Sequence, residues 1–198
     1  MIDRKLLKDG DLILFHTRGF SPMSMAIRQL TGSFWNHVGM FVIDIDLKGY
    51  VIEALGSVVK TPIEKYLDEK NHILKVVRVK EEAFEDDIEY QRGIGTAIER
   101  IRAKVGSKYD WWAIVWLAFK YLGKGSYKKA REFVPIGNPL QKRDEFFCSE
   151  LICEAWYNLS KLHPYMFAGN TQQTCDTTTP RDISKSPNCQ FVEGKDVN

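Results

Sequence analysis

The chain has few cysteines, little charge imbalance and no long apolar run, and each shortage closes off a class of protein. Its 198 residues hold four cysteines, Cys148, Cys153, Cys175 and Cys189, clustered towards the C-terminus. That is too few for the disulfide framework on which small secreted domains depend, so reduced thiols are the expectation. Lysine and arginine number 28 against 26 acidic residues, a formal net charge of +2, and the two signs are intermixed. No basic field is available to hold a polynucleotide, and nucleic acid is excluded as a partner. No run of roughly 20 apolar residues occurs, and no basic segment followed by an apolar stretch, so neither a spanning helix nor a retained signal peptide is expected. The expected location is cytoplasmic, with export after removal of a leader left open. What is present is a 44% hydrophobic chain, enough to bury the core of one compact domain spanning residues 1–198.

The first half reads as strands. Short runs rich in β-branched and aromatic residues cover Leu12–Phe15, Val38–Ile45, Tyr50–Ala54 and Ile73–Val79. The polar connection Asp46-Leu-Lys-Gly49 makes the second and third of these antiparallel neighbours. Between Asp86 and Val105, Ile94, Ala97, Ile98, Ile101 and Val105 recur at helical spacing, with Gly106 as a stop. Trp111–Phe119 is an aromatic-rich candidate for a second helix, followed by a basic segment to Arg131. A third helix follows from the stripe Phe147, Leu151, Ile152, Ala155, Trp156 and Leu159, with Asp144 or Glu145 at or just before its start. Beyond Pro164 the chain reads as loop, with a short strand near Phe191.

Three residues in this frame suggest chemistry. Cys148 falls in the first turn of the third helix, where unpaired N–H groups and the positive end of the dipole favour a thiolate and can hold a developing oxyanion. The alternative is an inert buried cysteine. His37 opens a strand, from which an imidazole can reach a helix terminus and act as general base, or serve only as a hydrogen-bonded structural group. Glu53 interrupts an apolar run on the neighbouring strand. It sits either on a solvent face or beside His37, fixing the imidazole tautomer. His16, at the end of the first strand, is held in reserve. A different class of reading uses Cys148, Cys153, His163 and Cys175 as zinc ligands in an interaction domain, although their spacing does not match paired structural sites. No cofactor is expected.

Five blocks taken together are more specific than any of these residues. Gly10-Asp-Leu-Ile-Leu-Phe15, Asn36-His-Val-Gly-Met40, Val51-Ile-Glu-Ala54, Tyr109-Asp110 and Phe147-Cys-Ser-Glu-Leu151 resemble, in order, the YiiX-like permuted papain-fold family of the NlpC-type superfamily, related to lecithin retinol acyltransferase. The resemblance runs from Gly10 to about Pro180. It implies an α+β fold in which circular permutation puts histidine before cysteine, with an antiparallel sheet or barrel packed against the helix bearing the nucleophile. It also implies Cys148 as nucleophile, His37 as base, Glu53 as orienting residue, and Tyr109 close to the thiol as an oxyanion or substrate contact, or else a core aromatic.

The activity so implied is a thiol hydrolase or acyltransferase that opens an amide or ester through a thioester acyl-enzyme. Its substrate would be a small peptide, an N-acyl amino acid or a lipid-like amide. A catalytically silent binding module of the same fold is the alternative. The aromatic segment from Trp111 and the lysines after it allow contact with a membrane surface, but a core helix followed by a solvated loop is the simpler reading. Oligomeric state is unreadable.

Overall fold

In the computed structural model, the residues described are 3–17, 32–67, 72–110, 145–160, 166–167 and 174–192. Six strands form one antiparallel sheet: β1 (Leu12–Thr17), β2 (His37–Ile43), β3 (Gly49–Ala54), β4 (Val58–Pro62), β5 (His72–Val79) and β8 (Cys189–Phe191). Their spatial order is β4-β3-β2-β1-β5-β8. A short helix α1 (Glu64–Leu67) follows β4, and the long helix α2 (Asp87–Ala103) follows β5. A parallel pair, β6 (Lys108–Tyr109) and β7 (Glu145–Phe146), leads into α3 (Cys148–Ala155). The helix α4 (Pro180–Lys185) precedes β8.

Both faces of the sheet are covered, which is why β1 reads as an unbroken apolar run rather than as an alternating one. Leu12, Leu14, Val38, Met40, Val42 and Ile52 pack with Ala97 and Ile101 of α2 and Leu151, Ile152 and Trp156 of α3 and its cap. Ile13, Phe15, Phe41 and Val51, from the opposite face, pack with Ile63, Tyr66 and Val76. Buried Asp11 is satisfied by a two-pronged pair with Arg78, at 2.7 and 2.8 Å, and by the N–H of Lys8 at 2.8 Å. Loss of either partner would strand a buried charge, so this pair fixes β1 against β5 rather than adding bulk stability.

The four expected strands are present with ends shifted by up to two residues, and the short strand near Phe191 pairs with β5. The turn between β2 and β3 needs a left-handed residue, supplied by Leu47 at φ 60. Asp86 caps α2 through Glu89 N–H, and Gly106 ends that segment at φ 94 with its N–H on Val58 O. Val105, counted in the apolar stripe, lies beyond the helix and is exposed. The expected Trp111–Phe119 helix, the basic segment after it and His163 lie outside the described residues.

Three expectations are corrected. The helix that carries Cys148 does not begin at an acidic cap near 144–145. Glu145 is drawn into β7, and Phe147 becomes the N-cap, its N–H accepted by the Glu150 side chain. The C-terminal stretch is not all loop: Thr179 accepts from Asp182 N–H, Pro180 opens the first turn, and α4 follows. The thiols are not all reduced, because Cys153 and Cys175 form a disulfide. Cys153 on α3 faces the 3-10 turn Cys175–Thr177, with a Cα–Cα distance of 5.2 Å. A count of cysteines carries no information about that packing. The bond also removes two of the four ligands of the zinc reading.

Candidate active site

Glu53 is fully buried. An isolated carboxylate there would be costly, so its partners decide its state. His37 Nε2 lies 2.8 Å from Glu53 Oε2, and Tyr66 Oη–H donates to Oε1. The Thr61 hydroxyl adds a further hydrogen bond. Burial works to raise the carboxyl pKa, but the hydrogen bond and charge of His37, with Tyr66 and Thr61, outweigh it and hold Glu53 below the usual range. Glu53 is therefore a buried anion facing His37.

Sheet register makes this contact. Gly39 on β2 pairs with Glu53 on β3, so His37, two residues before Gly39, is on the same face one step along the diagonal. A side chain at position 39 would intrude on this path: a Cβ there would lie 3.1 Å from Glu53 Cβ and collide with Val51. Gly39 thus leaves the carboxylate its approach to the imidazole.

Cys148 is the first residue of α3, buried, with a free thiol. The helix packs against β2 and β3, which brings the thiol close enough to His37 to act on the titration of its ring. With Nε2 engaged by Glu53, Nδ1 is the ring nitrogen left for the sulfur. Burial lowers the His37 pKa, but the hydrogen bond and negative charge of Cys148, followed by those of Glu53, override it and push it up to about 10. The imidazolium is held between two acidic groups. Such a pair can deliver a thiolate to an electrophile and a proton to the group that leaves.

Tyr109 reaches the site through the β6–β7 pair, where it aligns with Phe146, two residues before the thiol. Its hydroxyl is buried and its pKa raised, first by burial and then by the charges of Cys148, Asp110 and Glu150. His16 stacks on Phe34 at 3.9 Å between ring centroids, its Nδ1 paired with Phe34 O at 2.7 Å. It braces the loop that enters β2. Sequence reasoning named the three polar groups and Tyr109 but missed Tyr66, Thr61 and the space at Gly39. Tyr66 and Thr61 carry no local signal, because they reach Glu53 from α1 and β4 only after the chain folds back.

Residues 6–115 match the family model of the permuted papain-like amidases of the YaeF/YiiX, C92 type. The chain belongs to this family. Membership makes it a permuted papain-like hydrolase of the cysteine amidase and peptidase kind. The crystal structure of the metalloprotein YiiX from Escherichia coli O157:H7 is similar over 94% of this chain and 96% of that one, at 19% identity and a TM-score of 0.58. That likeness bears on the fold. No curated protein matches the chain.

Proposed function

We propose that this protein opens an amide or ester bond by covalent catalysis at Cys148. The sulfur attacks the carbonyl carbon, and the tetrahedral intermediate collapses as His37 gives its proton to the leaving nitrogen or oxygen. Water or a second nucleophile, activated by the now neutral His37, then releases the acyl group from the thioester. Glu53 holds the ring in the tautomer and orientation that both halves need. The observation that carries this reading is His37 bonded to the buried Glu53 carboxylate at 2.8 Å, with the Cys148 thiol near enough to raise the imidazole pKa. The acyl donor we favour is a small peptide or an N-acyl amide, in keeping with the amidase family.

The relative from Escherichia coli is described as a metalloprotein. Among the described residues here, no group of three or more His, Cys, Asp and Glu side chains is arranged to hold a metal ion, and His37 and Glu53 are committed to each other. The Cys153–Cys175 disulfide supports work in an oxidising compartment, in place of the cytoplasmic location expected from the sequence.

The test is mass-resolved labelling. Iodoacetamide at neutral pH should modify Cys148 first, and p-nitrophenyl acetate should leave an acyl group on the same residue. Both should vanish in Cys148→Ala while the fold, read by circular dichroism, is kept. Faster labelling at Cys189 would overturn the assignment.

A further inference from the structure

Asn36 immediately precedes the base and is 2% exposed. Its backbone N–H bonds Phe15 O at 3.0 Å. Its side-chain Oδ1 accepts the backbone N–H of Thr17 at 3.3 Å, and the Thr17 hydroxyl is paired with His72 Nδ1 at 3.2 Å. A backbone N–H can only donate, so the amide atom facing Thr17 must be the oxygen. The NH2 end is thereby fixed on the other side of the group. That Nδ2 is buried and finds no hydrogen-bond partner among the described residues.

A buried amide donor left unsatisfied costs about 1–3 kcal/mol, and such groups in a native fold call for an explanation. Trp156 Nε1 is also buried without a partner among the described residues, but it lies at the far end of α3 from Cys148. Asn36 immediately precedes His37 at the entry to β2, the strand against which α3 packs.

We propose that Asn36 Nδ2 is the oxyanion donor of the reaction, an assignment that rests on Cys148 being the nucleophile. As the S–C bond forms, the carbonyl π pair moves onto oxygen, and Asn36 Nδ2–H donates to that anion. When the intermediate collapses, the C=O bond is restored, the bond to the leaving group breaks, and the His37 proton goes with the leaving group. The donor is oriented before substrate arrives by the Thr17 N–H on Asn36 Oδ1, so the contact strengthens only as charge develops, which is what lowers a barrier rather than a binding constant. The unsatisfied amide is then the resting state of a donor that is used in the transition state.

The experiment compares two reactions of the same thiol in Asn36→Ala. Acylation by p-nitrophenyl acetate builds an oxyanion and should slow about 10²- to 10³-fold. Alkylation by iodoacetamide displaces iodide at a saturated carbon, builds none, and should keep its native rate and pH profile. Asn36→Asp keeps an acceptor for Thr17 while replacing the donor, and should lose acylation as well, so a folding defect in the alanine variant does not decide the matter. Unchanged acylation in both variants overturns the proposal. Equal losses of acylation and alkylation also overturn it, because Asn36 would then act by positioning His37. Native protein that is not acylated at Cys148 at all removes the nucleophile reading, and this assignment with it, before any variant is made.

Discussion

The two halves of the site are held by different kinds of bond. His37 and Glu53 stand on β2 and β3, adjacent strands with backbone ladders on both sides and apolar packing on both faces. Cys148 stands at the start of an eight-residue helix held by side-chain links. The Cys153–Cys175 disulfide ties it to the 174–179 segment, Ser149 Oγ–H donates to Thr178 O at 2.8 Å, and Glu150 closes its first turn. The match to the family model divides along the same line: residues 6–115 include His37, Glu53 and Tyr109 and end before Cys148. The sheet fixes the His37–Glu53 pair by register, whereas the helix that carries Cys148 adds a disulfide and side-chain hydrogen bonds to its core packing.

The strongest way to break that comparison is at the sheet half. Glu53→Gln keeps the shape but removes the charge that orients the ring, and kcat for acyl transfer should fall about 10²- to 10⁴-fold. Steady-state kinetics on an activated ester would show it, and a fall in KM alone would contradict the orienting role.

The helix half should respond in stability. Replacing Cys153 and Cys175 together by alanine opens a link of sequence separation 22 and should cost about 3 kcal/mol. Denaturant titration with and without reductant is the measurement, with both forms of the variant matching the reduced native protein. Gly39→Ala, back in the sheet, should cost about 1–3 kcal/mol through overpacking against Val51 and Glu53. If instead the variant melts like the native protein and keeps its kcat, the open path between Glu53 and His37 is not needed.

A smaller effect is expected from pH. The His37 pKa is raised to about 10 in the fold, above its unfolded value near 6.5. Its contribution to stability is therefore complete below the unfolded value and lost as pH rises through about 10. Glu53 is lowered, so its contribution is present above the unfolded value and lost as pH falls through the folded one. Melting temperature should thus decline on the alkaline side, and His37→Gln should flatten that decline. An alkaline limb unchanged by the substitution would show that the imidazolium is not held between the two acidic groups.

Much of the site was legible because its members sit in regular elements with clear patterns. β-Branched runs marked β2 and β3, and the apolar stripe through Leu151 and Ile152 marked α3, which placed His37 at a strand start and Cys148 near a helix start. The Thr-Pro-Arg-Asp182 cap of α4 is equally readable, although the polar composition around it reads as loop. The disulfide was not readable, since a separation in sequence says nothing of which helix face meets which turn.

The residues alone determined that a histidine, a glutamate and a cysteine occur in that order on two strands and a helix, because local periodicity and the turn between β2 and β3 act over short stretches of chain. Which way Glu53 points was left open, since an alternating strand serves a solvent face and a buried one equally well. Tertiary structure decided it by covering both faces of the sheet, pairing Glu53 with Gly39, and bringing Tyr66 and Thr61 to satisfy a carboxylate that has no access to water. The same packing brought Cys148 close to His37 and left Asn36 Nδ2 without a hydrogen-bond partner among the described residues. These contacts join residues far apart in the chain, and they exist only where the whole sheet and the helix on it have formed.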